Sequence, residues 1–175
     1  MSTPAIPLRT DDQLTERERK LLRGVPDANI FRAVANAPAS LKPFLELAGS
    51  VLLQSTFDRR LRELAILRVA TVTGSTYERE QHERIGRLAG LTDDEIDRVR
   101  AAGAPEGFDP EASLVLAVAE DITRNVRLRD DLLHDLIQRY DVRKATELIL
   151  CVSYFNLVSR FLESARVPLE DRPIL

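Results

Sequence analysis

The stretch RELAILRVA, residues 62–70, is an apolar run that carries Glu63 near its start. Its apolar residues recur at helical spacing and show no strand-like alternation, which predicts a helix from about residue 58 to residue 73. Gly74 is expected to end this helix, and a second helix that carries His82 begins almost at once, at Ser75. The sequence therefore predicts a tight helical hairpin. An unpaired buried carboxylate costs roughly several kcal/mol, so a glutamate in this run points to a function beyond packing.

The rest of the chain also reads as helical. The pattern Thr92-Asp93-Asp94-Glu95, with Leu91 and Ile96 on either side, predicts a capping box and a hydrophobic staple. Pro43 is expected in the first turn of a helix that follows Ser40. We therefore predict one all-α domain over residues 1–175. Besides the hairpin, whose second helix should end at Gly90, the expected helices are 15–23, two between 31 and 48, one from 92, and 111–125, 130–140 and 142–166.

Composition narrows the possible partners. The 175 residues are 44% hydrophobic and 30% charged, which suits one globular domain with a sizeable core. The 25 basic and 28 acidic residues are mixed along the chain, so no nucleic-acid partner is expected. No apolar run is long enough for a membrane span or a signal peptide, so no membrane partner is expected. The single Cys151 fits a reducing compartment, and we predict a cytoplasmic location.

The last predicted helix, 142–166, is apolar on nearly all sides between Leu148 and Phe161. Such a helix is normally enclosed, and so is the hairpin's first helix. The remaining short helices are too few to cover both. We therefore expect a second copy of the chain to cover part of them, which predicts a homo-oligomer stabilised by the C-terminal helix.

Helix arithmetic brings Glu63 and His82 level. Glu63 lies about 16 Å before the Gly74 turn and His82 about 12 Å after it, at roughly 1.5 Å per residue. Packed helices lie about 8–10 Å apart, so the two side chains can meet directly or through one water, as an acid/base pair requires. Other arrangements are also open from the residues alone. Glu63 could form an ion pair with Arg59 or Arg60, and His82 could be a surface histidine beside Glu78.

Other candidate residues have simpler explanations. Ser75 and Glu78 have the spacing of a second capping box. A serine nucleophile is not supported, because His82 lies about two turns away and no orienting acid has a recognisable spacing. No set of residues has the spacing of a metal site. Asn156 and Arg160 lie one turn apart among apolar neighbours, so they could bind a carboxylate or merely connect helices.

The hairpin motifs Arg62–Leu67 and Gly74–Glu78, together with His82 and the segment Ala89–Ile96, resemble the carboxymuconolactone decarboxylase family, which includes the alkylhydroperoxidase D-like proteins. The resemblance covers about residues 41–122, and Asn156–Arg160 looks like the family's final helix. It implies an all-helical subunit built around the hairpin and assembled as a trimer or hexamer, with the site near a subunit contact.

The resemblance also implies roles for individual residues. In the peroxidase branch, a glutamate and a histidine at the positions of Glu63 and His82 relay protons to a Cys-x-x-Cys pair. Those two cysteine positions are Ser75 and Glu78 here, so that thiol chemistry is not expected. Cys151 alone cannot replace the pair within one chain.

The decarboxylase branch remains, and it needs no cofactor. It implies that His82 delivers a proton, that Glu63 sets its tautomer and charge, and that Arg160 with Asn156 holds a substrate carboxylate or oxyanion. Ser75, Tyr77 and Glu78 would support this site. The expected ligand is a small unsaturated carboxylic acid or lactone, with no cofactor and no metal.

Two other functions stay open at this point. One is an alkylhydroperoxidase D-like peroxidase relative that has lost its thiol chemistry. The other is a non-catalytic oligomeric binding or scaffold protein. A scaffold would show Glu63 paired with Arg59 or Arg60, His82 facing solvent, and no cavity between the two side chains.

Overall fold

A computed structural model describes residues 5–101 and 103–172, and within these ranges the chain is helical and contains no strand. The predicted all-α fold is therefore confirmed. A short 3-10 helix, Asp11–Gln13, precedes the α-helices. These are α1 (Glu16–Leu22), α2 (Asn29–Val34), α3 (Pro38–Leu53), α4 (Arg59–Thr73), α5 (Thr76–Leu88), α6 (Asp93–Val99), α7 (Pro110–Asn125), α8 (Asp130–Tyr140) and α9 (Val142–Ala165).

Helix α4 is the centre of the fold. It packs against α5, α6, α7 and α9, and its ten consecutive residues from Leu61 to Ala70 are all buried. Asp58 begins the helix, because its side chain accepts a hydrogen bond of 2.9 Å from the backbone N–H of Leu61. With neighbours on all sides, α4 buries every side chain in this stretch, whether apolar or charged.

The turn between α4 and α5 is as short as the sequence predicts. Gly74 adopts a left-handed conformation with φ 75°, which a residue with a Cβ rarely adopts. The N–H of Ser75 then donates to the carbonyl of Ala70 at 3.0 Å, which closes the end of α4. This turn fixes how far each residue of α5 lies from the residues of α4.

Two local predictions for other helices have different outcomes. The Thr92–Glu95 capping box is confirmed, with the Thr92 hydroxyl and the Glu95 carboxylate each bonded to the other's backbone N–H. The position of Pro43 was predicted wrongly, since α3 begins at Pro38 and Pro43 lies inside it. Pro43 has no N–H to donate to the Ala39 carbonyl one turn back, and the helix continues through it to Leu53.

Helix α9 is only partly enclosed within one chain. It contacts α3, α4, α5, α7 and α8. An exposed stripe nevertheless runs along it, in which Leu150 and Leu157 are 52% and 51% exposed. Among the helices that the structure describes, α9 is the one long and apolar enough to cross a membrane, but 56% of its most apolar window is buried inside the protein. A core helix has the same composition.

Arg68 shows how a charge on α4 can be fully compensated. The side chain is 0% exposed. Its Nε donates to Glu120 of α7 at 3.0 Å, and its terminal nitrogens donate to Glu120 and to the carbonyls of Val99, Ala101 and Gly103. Arg68 therefore ties α4 to α7 and to the segment that ends α6.

We predict that Arg68→Leu lowers the free energy of unfolding by about 3–5 kcal/mol, because it leaves Glu120 and three carbonyls without a buried donor. Urea unfolding measures the change. Arg124→Leu is the matched control, since half-exposed Arg124 binds the same carboxylate through Oε1 at 2.8 Å. Its removal should cost no more than about 1 kcal/mol. Equal costs for the two variants would contradict the prediction.

Candidate active site

Glu63 and His82 are in direct contact. Nδ1 of His82 on α5 lies 2.7 Å from Oε2 of Glu63 on α4, and the two residues are 7% and 1% exposed. Neither alternative arrangement is present in the described part of the chain, because Glu63 pairs with His82 and with neither Arg59 nor Arg60, and His82 does not face bulk solvent. The tight turn at Gly74 thus brings the two side chains together as helix arithmetic predicts.

The contact sets the chemistry of the imidazole. An ionised carboxylate can only accept a hydrogen bond, so Nδ1 carries the proton and Nε2 is the nitrogen that can exchange one. The Phe155 ring packs against the His82 imidazole in a T-shaped contact, with ring centroids 4.8 Å apart. This contact fixes the orientation of the imidazole. Nε2 has no hydrogen-bond partner among the described residues, and His82 lines a cavity. Nε2 is thus available to a ligand.

The cavity has a volume of about 570 Å³, within the range of about 300–1,000 Å³ that is usual for small-molecule sites. Its walls come from the loop before α2 and from α2, α3, α4, α5 and α9. Most of the lining is apolar, and the polar groups gather on α4 and α5. The apolar lining includes Ile30, Phe31, Phe44, Leu45, Tyr154, Phe155 and Val158, and the polar lining is Arg59, Arg62, Glu63, Glu78, Gln81 and His82.

Glu78 is a second buried carboxyl group in the same cavity. Its Oε2 accepts a hydrogen bond of 2.6 Å from the hydroxyl of Ser159 on α9. Burial raises the pKa of Glu78 well above its usual value, the hydrogen bond from Ser159 lowers it, and the charge of Glu163 raises it. Glu78 is therefore a carboxyl group that the fold favours in its protonated form.

The predicted capping box at Ser75 and Glu78 is wrong. Ser75 is the residue before α5, but its side chain caps no backbone N–H. The Glu78 carboxylate turns to Ser159 of α9 instead of back to its own helix. The Ser75 hydroxyl is 0% exposed, has no partner and does not line the cavity. Tertiary packing has replaced the local hydrogen bonds that the sequence pattern predicts.

Four side chains that line the cavity have buried polar atoms without a hydrogen bond. These atoms are Nε of Arg62 and Oε1 of Glu63, Glu78 and Gln81. Buried polar groups in proteins are almost always satisfied, by protein or by a bound molecule. Their concentration on one wall marks the place where a polar ligand would be held.

Tyr77 contributes its ring to the cavity, but its hydroxyl is committed elsewhere. The hydroxyl donates to Glu170, which also accepts a 2.6 Å hydrogen bond from Nε2 of Gln81. The backbone N–H of Asn29 donates to the same carboxylate at 2.7 Å. The C-terminal segment therefore fastens α2 to α5 beside the cavity, and Tyr77 has a supporting position there.

Asn156 and Arg160 do not line the cavity. The Asn156 amide donates to Thr123 of α7 at 2.9 Å, and Arg160 donates to the side-chain and backbone oxygens of Asn156. Arg160 lies on the exposed stripe of α9. Within one chain, the two residues connect α9 to α7 and have no contact with the Glu63–His82 pair.

Cys151 is buried and unpaired. Burial raises the pKa of its thiol, Arg62 lowers it, and Glu63 and Glu78 raise it, so the reactive thiolate is disfavoured. Among residues 5–101 and 103–172 there is also no group of three or more His, Cys, Asp or Glu side chains that could hold a metal ion.

Sequence reasoning gave no role to Arg62, Gln81 or Ser159, although each contacts the site or one of its residues. A signal existed for Arg62. It lies in the same apolar run as Glu63, so the argument that a buried charge needs a reason applies to both residues. No comparable signal marks Ser159, because its contact with Glu78 joins residues 81 positions apart.

Comparison with known sequences agrees with the resemblance. Residues 38–121 match the sequence model of the carboxymuconolactone decarboxylase family. The uncharacterised protein YdfG of Bacillus subtilis (strain 168) is 27% identical over 126 residues, which are 71% of this chain and 85% of YdfG.

Solved structures share the fold. A peroxidase-related protein with an alkylhydroperoxidase AhpD core, from Ralstonia eutropha JMP134, superposes with a TM-score of 0.83 at 16% identity, over 98% of this chain and 95% of the other. The debrominase Bmp8, in complex with 2,3,4-tribromopyrrole, gives a TM-score of 0.79 at 15% identity, over 99% of this chain and 95% of the other. At such identities the likeness shows an AhpD-like fold alone.

The raised pKa of Glu78 predicts a pH-dependent stability. Between the usual glutamate pKa of about 4.3 and the raised folded value, the folded chain holds a proton that the unfolded chain has released. The free energy of unfolding therefore falls as pH rises through this window. Glu78→Gln cannot ionise, so its stability relative to the wild type should rise from pH 5 to pH 8, by at most about 1.4 kcal/mol per pH unit.

Urea unfolding at several pH values measures this difference. Glu147→Gln is the control. Desolvation raises the pKa of Glu147, but hydrogen bonds from Ser55, Arg143 and Thr56 outweigh it and lower the value to about 2. Its contribution is complete above the unfolded pKa, so its difference from the wild type should not change between pH 5 and pH 8. A flat difference for Glu78→Gln would contradict the prediction.

Proposed function

From the match of residues 38–121 to the carboxymuconolactone decarboxylase family, we propose that the chain is a cofactor-independent enzyme that decarboxylates or isomerises a small unsaturated carboxylic acid or lactone. One observation carries the proposal. The hydrogen-bonded pair of Glu63 and His82 is buried and lines a cavity large enough for a small molecule.

The proposed reaction needs little from the protein besides a proton. When the carbon–carbon bond to the carboxylate breaks, CO2 leaves and the electron pair spreads into the conjugated carbonyl group as a dienolate. Protonated His82 then gives the Nε2 proton to carbon and recovers one from water. In an isomerisation, neutral Nε2 first removes a proton from one carbon and returns it to another.

Glu63 and Glu78 have different tasks in this proposal. Glu63 holds the Nδ1 proton of His82 and stabilises the imidazolium, so it is a positioning residue. Glu78, favoured in its protonated form, can donate a hydrogen bond to an oxyanion from the same wall of the cavity. Asn156 and Arg160 lie outside this cavity and take no part in the reaction within one chain.

The contacts favour an enzyme over a scaffold. A scaffold that had lost its chemistry would be free to neutralise Glu63 with Arg59 or Arg60 and to expose His82. Instead Arg60 binds Glu95, and the Glu63–His82 pair stays buried beside the cavity at the cost of desolvation.

The proposal includes a cytoplasmic homo-oligomer, trimeric or hexameric, that takes a small molecule as its ligand. The half-exposed Leu150 and Leu157 on the outer stripe of α9 support a contact between subunits, because a second copy would remove them from water.

We predict that His82→Ala lowers kcat by about 10²- to 10⁴-fold on a substrate found by screening unsaturated carboxylactones and related acids for CO2 release or isomerisation. Glu63→Gln should also lower kcat, since it removes the charge that stabilises the imidazolium. His134→Ala is the matched control, because the second histidine is exposed on α8 and lies outside the cavity. Wild-type turnover by a folded His82→Ala protein, checked by circular dichroism, would remove His82 from the mechanism.

A second prediction concerns peroxide. The chain should not reduce alkyl hydroperoxides with a dithiol reductant, because Ser75 and Glu78 stand at the positions of the two cysteines and the Cys151 thiolate is disfavoured. Peroxide consumption coupled to dithiol oxidation is the assay, with Cys151→Ala as the control for thiol leakage. Robust turnover that Cys151→Ala abolishes would overturn this prediction.

A further inference from the structure

Arg62 is a buried cation that has no hydrogen-bond or ion-pair partner among the described residues. It is 5% exposed, it lines the cavity, and its buried Nε makes no hydrogen bond. No carboxylate or carbonyl among the described residues accepts a hydrogen bond from its side chain. Arg68, two turns further along α4, shows the opposite case, with every bonding direction satisfied by protein oxygens.

The two acids that line the same cavity, Glu63 and Glu78, do not pair with Arg62. Glu63 binds His82, and Glu78 binds Ser159 and is favoured in its protonated form. Neither forms an ion pair with Arg62 within the described part of the chain. A buried charge without a partner is strongly destabilising, so a guanidinium in this state calls for an anion from outside the chain.

The remaining lining of the cavity indicates which kind of group such an anion carries. Aromatic rings from three helices also line the cavity, Phe31 on α2, Phe44 on α3, and Tyr154 and Phe155 on α9. These rings are packed at centroid distances of 6.5, 5.6 and 5.3 Å in sequence. A surface of this kind favours a bulky apolar or aromatic group over a short polar acid.

Arg59 adds a second positive charge. It lies one turn before Arg62 on the same face of α4, is exposed, and also lines the cavity. The charge of Arg59 therefore attracts an anion from solvent toward the cavity, and Arg62 can bind that anion within the cavity.

We propose that Arg62 is the anion-binding residue of this cavity and that the ligand is a carboxylate with a bulky aromatic or apolar body. The planar guanidinium matches a carboxylate in two parallel hydrogen bonds. A carboxylate bound there has its apolar body against the rings and its first carbons beside His82. Only the reactive position next to His82 rests on the proposed function, and the binding itself does not.

Isothermal titration calorimetry tests the proposal with naphthalene-2-carboxylate and with its neutral amide of the same shape. The wild type should bind the carboxylate about 10- to 100-fold more tightly than the amide, the range expected of a charge-assisted hydrogen bond. Arg62→Met keeps an unbranched side chain at this position and removes the guanidinium charge. This variant should lose that preference while binding the amide as well as the wild type does.

Arg60→Met is the matched control, because Arg60 on the same helix binds Glu95 and does not line the cavity. It should keep the preference for the carboxylate. The proposal is overturned if the wild type binds neither compound, if it binds both equally, or if folded Arg62→Met still prefers the carboxylate. If the preference for the carboxylate depends on Arg62 but no catalytic turnover is found, the result supports the anion site and contradicts only the proposed function.

Discussion

The structure depends on how the charges of one buried helix are compensated. Three ionisable side chains, Arg62, Glu63 and Arg68, lie in the fully buried part of α4. Arg68 is satisfied by Glu120 and backbone carbonyls, Glu63 shares one oxygen with His82, and Arg62 has no hydrogen bond. The charge at the Arg68 end of the buried stretch is therefore fully paired. At the other end, where the cavity lies, the charged side chains keep atoms without a hydrogen bond among the described residues.

The residue of α4 that stabilises the fold and the residues that are available for chemistry therefore lie at opposite ends of the buried stretch. A saturated arginine makes a rigid connection among α4, α6 and α7, since each of its donors has a fixed acceptor. At the cavity end the acids are not fully paired. One oxygen of Glu63 and one of Glu78 have no partner among the described residues, while contacts with His82 and Ser159 fix the positions of the two side chains. Groups that are held in place but not satisfied are what a preorganised site requires.

Local and periodic signals predicted most of the fold and part of the site. The Thr92 capping box and the meeting of Glu63 with His82 follow from hydrogen bonds and spacing within a few helical turns, which one sequence contains. The contact between Glu78 and Ser159 joins distant helices, and no local pattern encodes it. Arg62 carries the same signal as Glu63, a charge in an apolar run, but the sequence does not show which packed neighbours leave it unpaired.

The left-handed turn at Gly74 has a consequence for how the site can vary. Each added residue in an α-helix rotates the following side chains by about 100°. One residue inserted between the Gly74 turn and His82, within the first turns of α5, would therefore carry His82 away from Glu63 and turn a different face of α5 toward the cavity, although both helices could still form. The site is encoded by a count of residues, so the length of this link is constrained more tightly than its composition.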